Sequence, residues 1–187
     1  MVKNILVLTG SPRKNGNSEM MADAFIKGAR AKGHIVTKFE TAMKNINGCK
    51  ACNTCWSKGT ACSFQDDFSE LEPLLESSDV IVFVTPLYWS GMSSQIKAAI
   101  DRLYAYVSPN CKRPLKIKES VLMICGEDNE DGMFNGAIET YKGIIDYLKW
   151  NNLGIIAVPG VADKGDIANT DALEKAENLG MSISFTC

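Results

Sequence analysis

Short apolar runs alternate with segments of helical periodicity along the chain, and this alternation restricts the folds open to it. Asn4–Thr9, Asp79–Thr85 and Glu119–Cys125 are almost continuously apolar. Runs of this length predict strands that are buried on both faces. His34–Glu40 alternates in polarity and predicts a more exposed strand, and Leu153–Gly160 predicts a fifth strand. Buried strands separated by helices are typical of a parallel sheet.

The segments between the strands carry apolar residues at helical spacing. Helices are predicted at Asn17–Lys32, about 66–76, Ser93–Tyr104, Asn135–Trp150 and Thr170–Leu179. This order predicts an α/β fold: a flavodoxin-like, doubly wound, five-stranded parallel sheet in the order 2-1-3-4-5, with helices on both faces. In such sheets a ligand binds beyond the carboxyl ends of the strands. The loops after the first, third and fourth strands are therefore the places to search for a site.

The overall composition is that of one globular domain. The chain has 187 residues, and we expect a single domain over 1–187 with a cysteine-rich insertion at about 41–65. Its net charge of −2 provides no basic surface for nucleic acid. No apolar run is long enough to cross a bilayer, so no membrane partner is expected. The N-terminal apolar run is too short for a signal peptide and no cleavage pattern follows it, which indicates a cytoplasmic location.

The loop after the first strand, Gly10–Ser18, has the composition of a phosphate site. It opens directly into a predicted helix. The first backbone N–H groups of a helix lack partners, and its dipole favours an anion. Further donors and positive charge come from side chains of the loop: Ser11, Arg13, Lys14, Asn17 and Ser18.

Spacing excludes a nucleotide-hydrolase loop, which requires four residues between its glycines and then Lys. Here five residues separate Gly10 from Gly16, and Asn17 stands where the Lys belongs. A polar turn with an ordinary helix cap is the alternative. Thr9–Ser18 closely resembles the phosphate loop of the flavodoxin-like NADPH-dependent FMN reductases, and in particular the branch of the iron–sulfur flavoproteins. The resemblance implies that this loop binds the phosphate of FMN.

Two large aromatic residues, Tyr88 and Trp89, follow the third predicted strand at the edge where a ligand is expected. A flat ring system needs apolar faces and backbone groups for its edge atoms. On the residues alone, packing of both rings in the core is an equal alternative. The segment resembles the second flavin loop of the same family, Pro-x-Tyr-x-x-x-x-Ser. The resemblance assigns the isoalloxazine ring to Pro86, Leu87, Tyr88, Trp89, Ser90, Gly91 and Met92.

The loop after the fourth predicted strand matches the family least. Gly126 agrees with the family pattern and is expected near the flavin. Four acidic residues depart from that pattern, because carboxylates oppose the anion that develops on a reduced flavin. We expect these acidic residues to face solvent or a partner subunit: Glu127, Asp128, Glu130 and Asp131.

Four of the seven cysteines form a compact Cys-x2-Cys-x2-Cys-x6-Cys motif: Cys49, Cys52, Cys55 and Cys62. Such short repeats wrap three corners of an iron–sulfur cubane, and a fourth thiolate completes it. Structural zinc more often pairs two Cys-x2-Cys elements across a longer gap. The motif resembles that of the iron–sulfur flavoproteins, which implies a [4Fe–4S] cluster; empty thiols or disulfides are the alternatives. The remaining cysteines are expected to be ordinary residues: Cys111, Cys125 and Cys187.

The resemblance implies an FMN-dependent oxidoreductase that passes hydride from NAD(P)H to flavin N5. Electrons then reach a small acceptor such as a quinone, a nitro compound or a flavin, or they leave through the cluster. The flavin performs the chemistry, so no catalytic side chain is predicted. Two alternatives stay open: a non-enzymatic FMN and iron–sulfur electron carrier for a ferredoxin-like partner, and a zinc-stapled binding module without flavin. The family also implies a homodimer or homotetramer, with Trp89 and the cysteine segment as contact surfaces.

Overall fold

The computed structural model describes residues 1–185 and contains one six-stranded sheet. Its strands are β1 (Asn4–Thr9), β2 (Ile35–Glu40), β3 (Val80–Tyr88), β4 (Gly91–Met92), β5 (Glu119–Cys125) and β6 (Asn151–Val158). The long strands are parallel in the order β2-β1-β3-β5-β6, and the two-residue β4 pairs antiparallel with the end of β3. The prediction counted five strands and did not include the two-residue β4. Without β4, the observed order is 2-1-3-4-5, so the predicted order is confirmed.

The described residues contain six α-helices, of which the last follows β6. They are α1 (Asn17–Ala31), α2 (Thr54–Lys58), α3 (Phe68–Ser77), α4 (Ser94–Asp101), α5 (Asn135–Leu148) and α6 (Ala172–Ser182). Short 3-10 turns cover 41–43, 102–107 and 166–169. The predicted helix Ser93–Tyr104 therefore ends as an α-helix at Asp101 and continues as a 3-10 turn. The short α2 was not predicted; it lies in the cysteine segment.

The sheet is covered on both faces, as predicted. Alternate residues of β1 enter different cores: Ile5 and Val7 pack with α1 and α6, whereas Leu6 and Leu8 pack with α3, α4 and α5. Helices α1 and α6 pack closely against each other in the first core. A Cβ at Gly28 of α1 would overlap the carbonyl oxygen of Glu177 in α6. None of the helices described is long and apolar enough to cross a membrane.

The strand ends decide where a ligand can bind. β1 and β5 occupy the predicted residues, but β3 continues three residues past the predicted end at Thr85, to Tyr88. Its end then turns back through Trp89 and Ser90 into β4. Both turn residues have positive φ, 49° and 58°, which matches the twist that a two-residue hairpin loop requires. The predicted loop that carries Tyr88 and Trp89 is therefore an extension of β3 followed by a tight hairpin.

Candidate functional site

A pocket of about 240 Å³ lies at the carboxyl ends of the parallel strands, where the fold predicts a ligand site. All three loops singled out in the sequence contribute to it. The predicted binding residues that line it are Ser11, Arg13, Asn17, Ser18, Pro86, Leu87, Tyr88 and Gly126. Other predicted binding residues are outside its lining: Lys14, Trp89, Ser90, Gly91 and Met92.

The start of α1 forms the polar end of this pocket. Gly16 occupies the N-cap position, and among the described residues no side chain caps the helix. The first N–H groups of a helix lack intrahelical acceptors. The preceding loop is held as a tight turn, because Arg13 N donates to Ser11 Oγ at 3.1 Å and Gly16 N donates to Arg13 O at 3.3 Å. An uncapped helix start beside a guanidinium is a site for an anion such as phosphate.

The side chain of Asn17 is used in a way that the sequence did not indicate. Its Nδ2 donates to Asp163 O at 2.9 Å, and its Oδ1 accepts from Gly165 N at 3.0 Å and Ile167 N at 3.3 Å. Asn17 therefore binds the loop after β6, and its own contribution to an anion site is its backbone N–H. Arg13 Nη1 also reaches this loop, donating to Ala162 O at 3.3 Å.

The loop after β6 forms a wall of the pocket through Val161 and Ala162. Sequence analysis assigned no binding role to this loop. Its backbone is also tied to the end of β5, since Val161 N donates to Gly126 O and Gly126 N donates to Val158 O, both at 3.0 Å. The only signal in the sequence was position, because every parallel strand ends at the same edge of the sheet.

Ser93 joins the first loop to the hairpin. Its backbone N–H donates to Thr85 Oγ1 at 3.0 Å, and its Oγ donates to Gly10 O at 2.7 Å. Ser93 stands at the N-cap of α4, one residue before the helix, but its hydroxyl does not cap that helix. Gly10 is required at this contact, because a Cβ there would lie 2.6 Å from Ser93 Oγ. The two loops are thus fixed relative to each other.

Some residues of the hairpin line the pocket, and others face solvent. Pro86, Leu87 and Tyr88 line the pocket, whereas Trp89 at the tip is wholly exposed, at 103% of its reference area. The core-packing alternative for the two aromatics is therefore wrong for Trp89. A large apolar side chain at a left-handed turn position is costly and finds no packing within the described chain.

The loop after β5 brings one acidic residue to the pocket. Gly126 allows close approach of the two loops, because a Cβ there would lie 2.9 Å from the Leu87 Cβ. Glu127 follows it directly and lines the pocket. Glu127 is exposed, in agreement with the expectation that the acidic residues face solvent, but its position beside the strand end also leaves it at the rim of the pocket.

Cys125 places a neutral thiol against the first helix. Burial raises its pKa to about 12, and a hydrogen bond with Ser18 opposes that shift. Both side chains are buried, so the Ser18 hydroxyl serves the packing of α1 on β5 as well as lining the pocket. A thiol with so high a pKa is a poor nucleophile, which agrees with the prediction that this cysteine is an ordinary residue.

The cysteine motif forms a separate pocket of about 20 Å³, which all four thiols line: Cys49, Cys52, Cys55 and Cys62. Every cysteine up to Cys125 is free, and Cys187 lies outside the described residues. Over residues 1–185, no group of three or more His, Cys, Asp or Glu is placed to hold a metal ion as it stands. The fold thus gathers the predicted ligands without spacing them as a finished metal site.

A larger cavity of about 410 Å³ lies elsewhere, between α4 with its 3-10 turn and α5. Its lining is mostly apolar, with Ile144, Tyr147 and Leu148 on one side and Leu103 on the other. It is remote from the strand ends and offers neither a helix start nor a basic residue. We therefore place the ligand site in the smaller pocket, where polar donors and apolar surface converge.

Comparisons with known proteins agree with the fold described above. Residues 3–136 match the family model of the NADPH-dependent FMN reductases. The chain is 33% identical to an iron–sulfur flavoprotein of Archaeoglobus fulgidus, over 95% of this chain and 77% of that protein. It is 23% identical to a putative NAD(P)H-dependent FMN-containing oxidoreductase of Bacillus subtilis, over 94% of this chain and 95% of that protein.

The fold is shared with a solved structure of an NAD(P)H:quinone oxidoreductase from Methanothermobacter marburgensis. The TM-score is 0.80 at 17% identity, and the match covers 100% of this chain and 98% of the other. A parallel sheet in this order, with helices on both faces, defines a flavodoxin-like fold. The chain belongs to the NADPH-dependent FMN reductase family, as the resemblance of its loops predicted.

Proposed function

We propose that this protein binds FMN non-covalently in the strand-end pocket and uses it to oxidise NADH or NADPH. The observation that carries the proposal is the meeting of an uncapped helix start with an apolar hairpin in one pocket. FMN combines a phosphate with a flat ring, and the pocket offers complementary groups for both. Gly10 and Gly126 support this fit, because a Cβ at either position would push the loops apart.

The phosphate is assigned to the turn after β1. Its ligands are the side chains of Ser11 and Arg13 with the backbone N–H groups of Asn17 and Ser18, and Lys14 adds positive charge from outside the lining. Arg13 is already oriented, because Nη1 donates to Ala162 O. The remaining guanidinium donors are free to bind phosphate oxygens, which is the strongest single contact expected here.

The isoalloxazine ring is assigned to the hairpin and Gly126. Pro86, Leu87 and Tyr88 supply apolar surface and backbone groups, and residues 89–92 shape the turn that holds them. Bound FMN supplies the redox chemistry, accepting hydride at N5. The protein binds and orients the ring and limits water access. No side chain of the pocket is required as an acid or base, and the high pKa of Cys125 keeps that thiol neutral.

Flavin binding gives the direct test. Arg13→Ala is expected to weaken FMN binding about tenfold or more, since a hydrogen bond to a charged group contributes roughly 1.5–3 kcal/mol. Lys14→Ala is the matched control on the same turn and should have the smaller effect. Titration of FMN fluorescence measures both. A wild-type chain that stays colourless after incubation with FMN would overturn the proposal.

The acceptor is proposed to be a small oxidised molecule: a quinone, a nitro compound or a second flavin. Steady-state oxidation of NADH and NADPH with each acceptor in turn would identify it and the preferred nucleotide. Rapid reduction by a ferredoxin with negligible NAD(P)H oxidation would instead support an electron carrier. A colourless protein with stoichiometric zinc would support the zinc-stapled module.

The four gathered thiols favour an iron–sulfur centre as a second redox site. We infer that Cys49, Cys52, Cys55 and Cys62 ligate a [4Fe–4S] cluster after a small rearrangement of their segment. The composition of the donor set supports this inference, because four thiolates are the ligands such clusters take. Purification without oxygen, followed by iron and sulfide analysis, tests it. Cys52→Ser should lose the cluster, whereas Cys111→Ser should retain it.

Self-association is proposed through the hairpin tip, giving a homodimer or homotetramer. Trp89 is fully exposed beside the ligand pocket, and an interface is the ordinary environment for such a side chain. Trp89→Ser is expected to weaken association by at least about tenfold. Light scattering after size-exclusion chromatography measures this, with the exposed Tyr147→Ser as control. A monomeric wild-type protein would contradict the proposal.

A further inference from the structure

One guanidinium holds both ends of the cysteine segment. Arg102 is the first residue of the 3-10 turn after α4 and is only 2% exposed. Its Nη1 donates to Asp66 Oδ2 at 2.6 Å and to Asn47 O at 3.5 Å, and its Nη2 donates to Phe64 O at 3.1 Å. The residues on either side of the cysteine motif are therefore fixed to a single side chain of the sheet-covering layer.

The ion pair between Arg102 and Asp66 is closed to solvent. The side chains are 1% and 2% exposed, respectively. Asp66 also accepts hydrogen bonds from the backbone N–H groups of Asn47 and Phe68, each at 3.0 Å. The guanidinium lies 4.2 Å from the centre of the Phe68 ring. Every oxygen of the pair is thus engaged, which is the condition for a buried ion pair to persist.

One donor of this guanidinium is left over. Over residues 1–185, Arg102 Nε is the single buried side-chain nitrogen or oxygen without a hydrogen-bond partner. An unsatisfied buried donor is expensive, and most such donors in proteins are paired. Arg102 also lines the pocket that the four cysteine thiols share. The unpaired donor and the four thiols therefore belong to the same pocket.

We propose that Arg102 is a positioning residue of the cysteine pocket, and that its Nε–H donates a hydrogen bond to a sulfur of the thiolate-bound metal centre. The proposal rests on the proposed loading of this pocket with metal. Hydrogen bonds to the sulfurs are one of the factors that set the potential of an iron–sulfur cluster. The donor stabilises the more negative, reduced state, so its loss lowers the reduction potential.

Two variants separate the effect of the Arg102 Nε–H donor from that of the Arg102–Asp66 ion pair. Arg102→Lys keeps the positive charge beside Asp66 but removes Nε–H. Asp66→Asn keeps Nε–H but weakens the buried ion pair. Arg113→Lys is the matched control, because Arg113 is half-exposed, pairs with Glu72 and Glu76, and does not line the cysteine pocket. FMN binding should be unchanged in all three, since none of these residues lines the strand-end pocket.

Cobalt titration of the metal-free protein is the first measurement. The charge-transfer absorption band from thiolate sulfur to Co²⁺ reports thiolate ligation directly. Arg102→Lys is expected to bind Co²⁺ about tenfold more weakly than wild type, as the loss of one charge-assisted hydrogen bond implies. Asp66→Asn should lower the melting temperature but change the affinity for Co²⁺ less than Arg102→Lys does. Equal affinities in Arg102→Lys and Arg113→Lys would overturn the proposal, and so would losses of affinity that simply follow the melting temperature.

Redox titration of the reconstituted cluster is the second measurement. At a fixed potential, Arg102→Lys is expected to reduce the ratio of reduced to oxidised cluster about tenfold, which is about 59 mV for one electron. If wild type binds Co²⁺ with the expected Arg102 dependence but takes up no iron and sulfide, the proposed cluster is wrong and the role of Arg102 stands. If wild type binds neither, the role of Arg102 is wrong as well.

Discussion

The side-chain amide of Asn17 and the backbone of Gly165 are joined by a hydrogen bond of 3.0 Å that connects the start of α1 to the loop after β6. The residues are 148 positions apart in sequence. This contact holds the loop that forms one wall of the proposed flavin pocket, so the side chain of Asn17 supports that wall, whereas its backbone N–H is the group proposed for the phosphate.

Asn17→Ala is expected to weaken FMN binding about tenfold. The variant removes three hydrogen bonds to the loop, each worth about 1 kcal/mol, and allows the Ala162 wall to move. Fluorescence titration measures the affinity. Asn169→Ala is the control, as this exposed residue ends the 3-10 turn of the same loop. A larger effect at residue 169 than at 17 would argue against the contact as the cause.

Gly126→Ala tests the close approach of the hairpin to the end of β5. The added methyl group would lie 2.9 Å from the Leu87 Cβ, so the hairpin and the end of β5 must move apart. We expect about a tenfold loss of FMN affinity and a loss of stability of roughly 1–3 kcal/mol from overpacking. Gly143→Ala is the matched control: a Cβ there meets open space, and the change should stabilise α5 by roughly 0.5–1 kcal/mol. Unaltered FMN binding by Gly126→Ala would contradict the assignment.

Acid should unfold the protein partly through Asp66. Burial alone would raise its pKa, but hydrogen bonds from Arg102 and from the backbone of Asn47 and Phe68 outweigh burial and hold the pKa below its usual range. An Asp with a depressed pKa contributes stability above its unfolded pKa of about 3.9, and that stability is lost as the pH falls through the folded value.

Asp66→Asn should therefore cost about 3 kcal/mol at neutral pH, and the gap to wild type should narrow below about pH 4. Urea unfolding at several pH values measures it. Asp171→Asn removes an exposed pair with Lys175 and should cost under about 1 kcal/mol at any pH. A gap that stays constant down to pH 2 would count against the ion pair as the origin of the acid sensitivity.

Cys125 should resist alkylation. Its pKa of about 12 leaves on the order of one thiolate in ten thousand at pH 8. We expect iodoacetamide to modify the exposed Cys49 about a thousandfold faster in the metal-free protein, as followed by peptide mass spectrometry. In denaturant the two rates should converge. Comparable rates in the native protein would show that Cys125 is neither buried nor neutral.

Much of the fold was predictable because strand burial appears directly in the sequence. Asn4–Thr9 and Glu119–Cys125 were located to the residue, since continuous apolar runs bounded by polar turns leave little choice of register. The boundary of β3 was not, because its last residues are only partly covered and end in a hairpin with positive φ at Trp89 and Ser90. Neither residue type favours that conformation, so no local signal announced it.

The site was predictable to the extent that it is made of local loops. Ser11, Arg13 and Pro86 line the pocket as expected, because Ser11 and Arg13 follow the end of β1 and Pro86 lies in the last residues of β3, and both strand ends are at the ligand edge. The wall at Ala162 and the use of Asn17 as a cross-link were missed, because they depend on contacts between distant segments. The single domain and the roles of the site residues stay predictions.

The sequence by itself determined the order of strands and helices, the phosphate-type turn after β1 and the cysteine motif, because each is a pattern of neighbouring residues. Only the tertiary structure decided that Asn17 serves a loop, that Trp89 faces solvent, and that Arg102 ties the cysteine segment while keeping one buried donor unpaired. Hydrogen-bond partners and burial are properties of packed neighbours. Neighbours far apart in sequence are chosen by the fold, so their chemistry becomes visible only when the chain is folded.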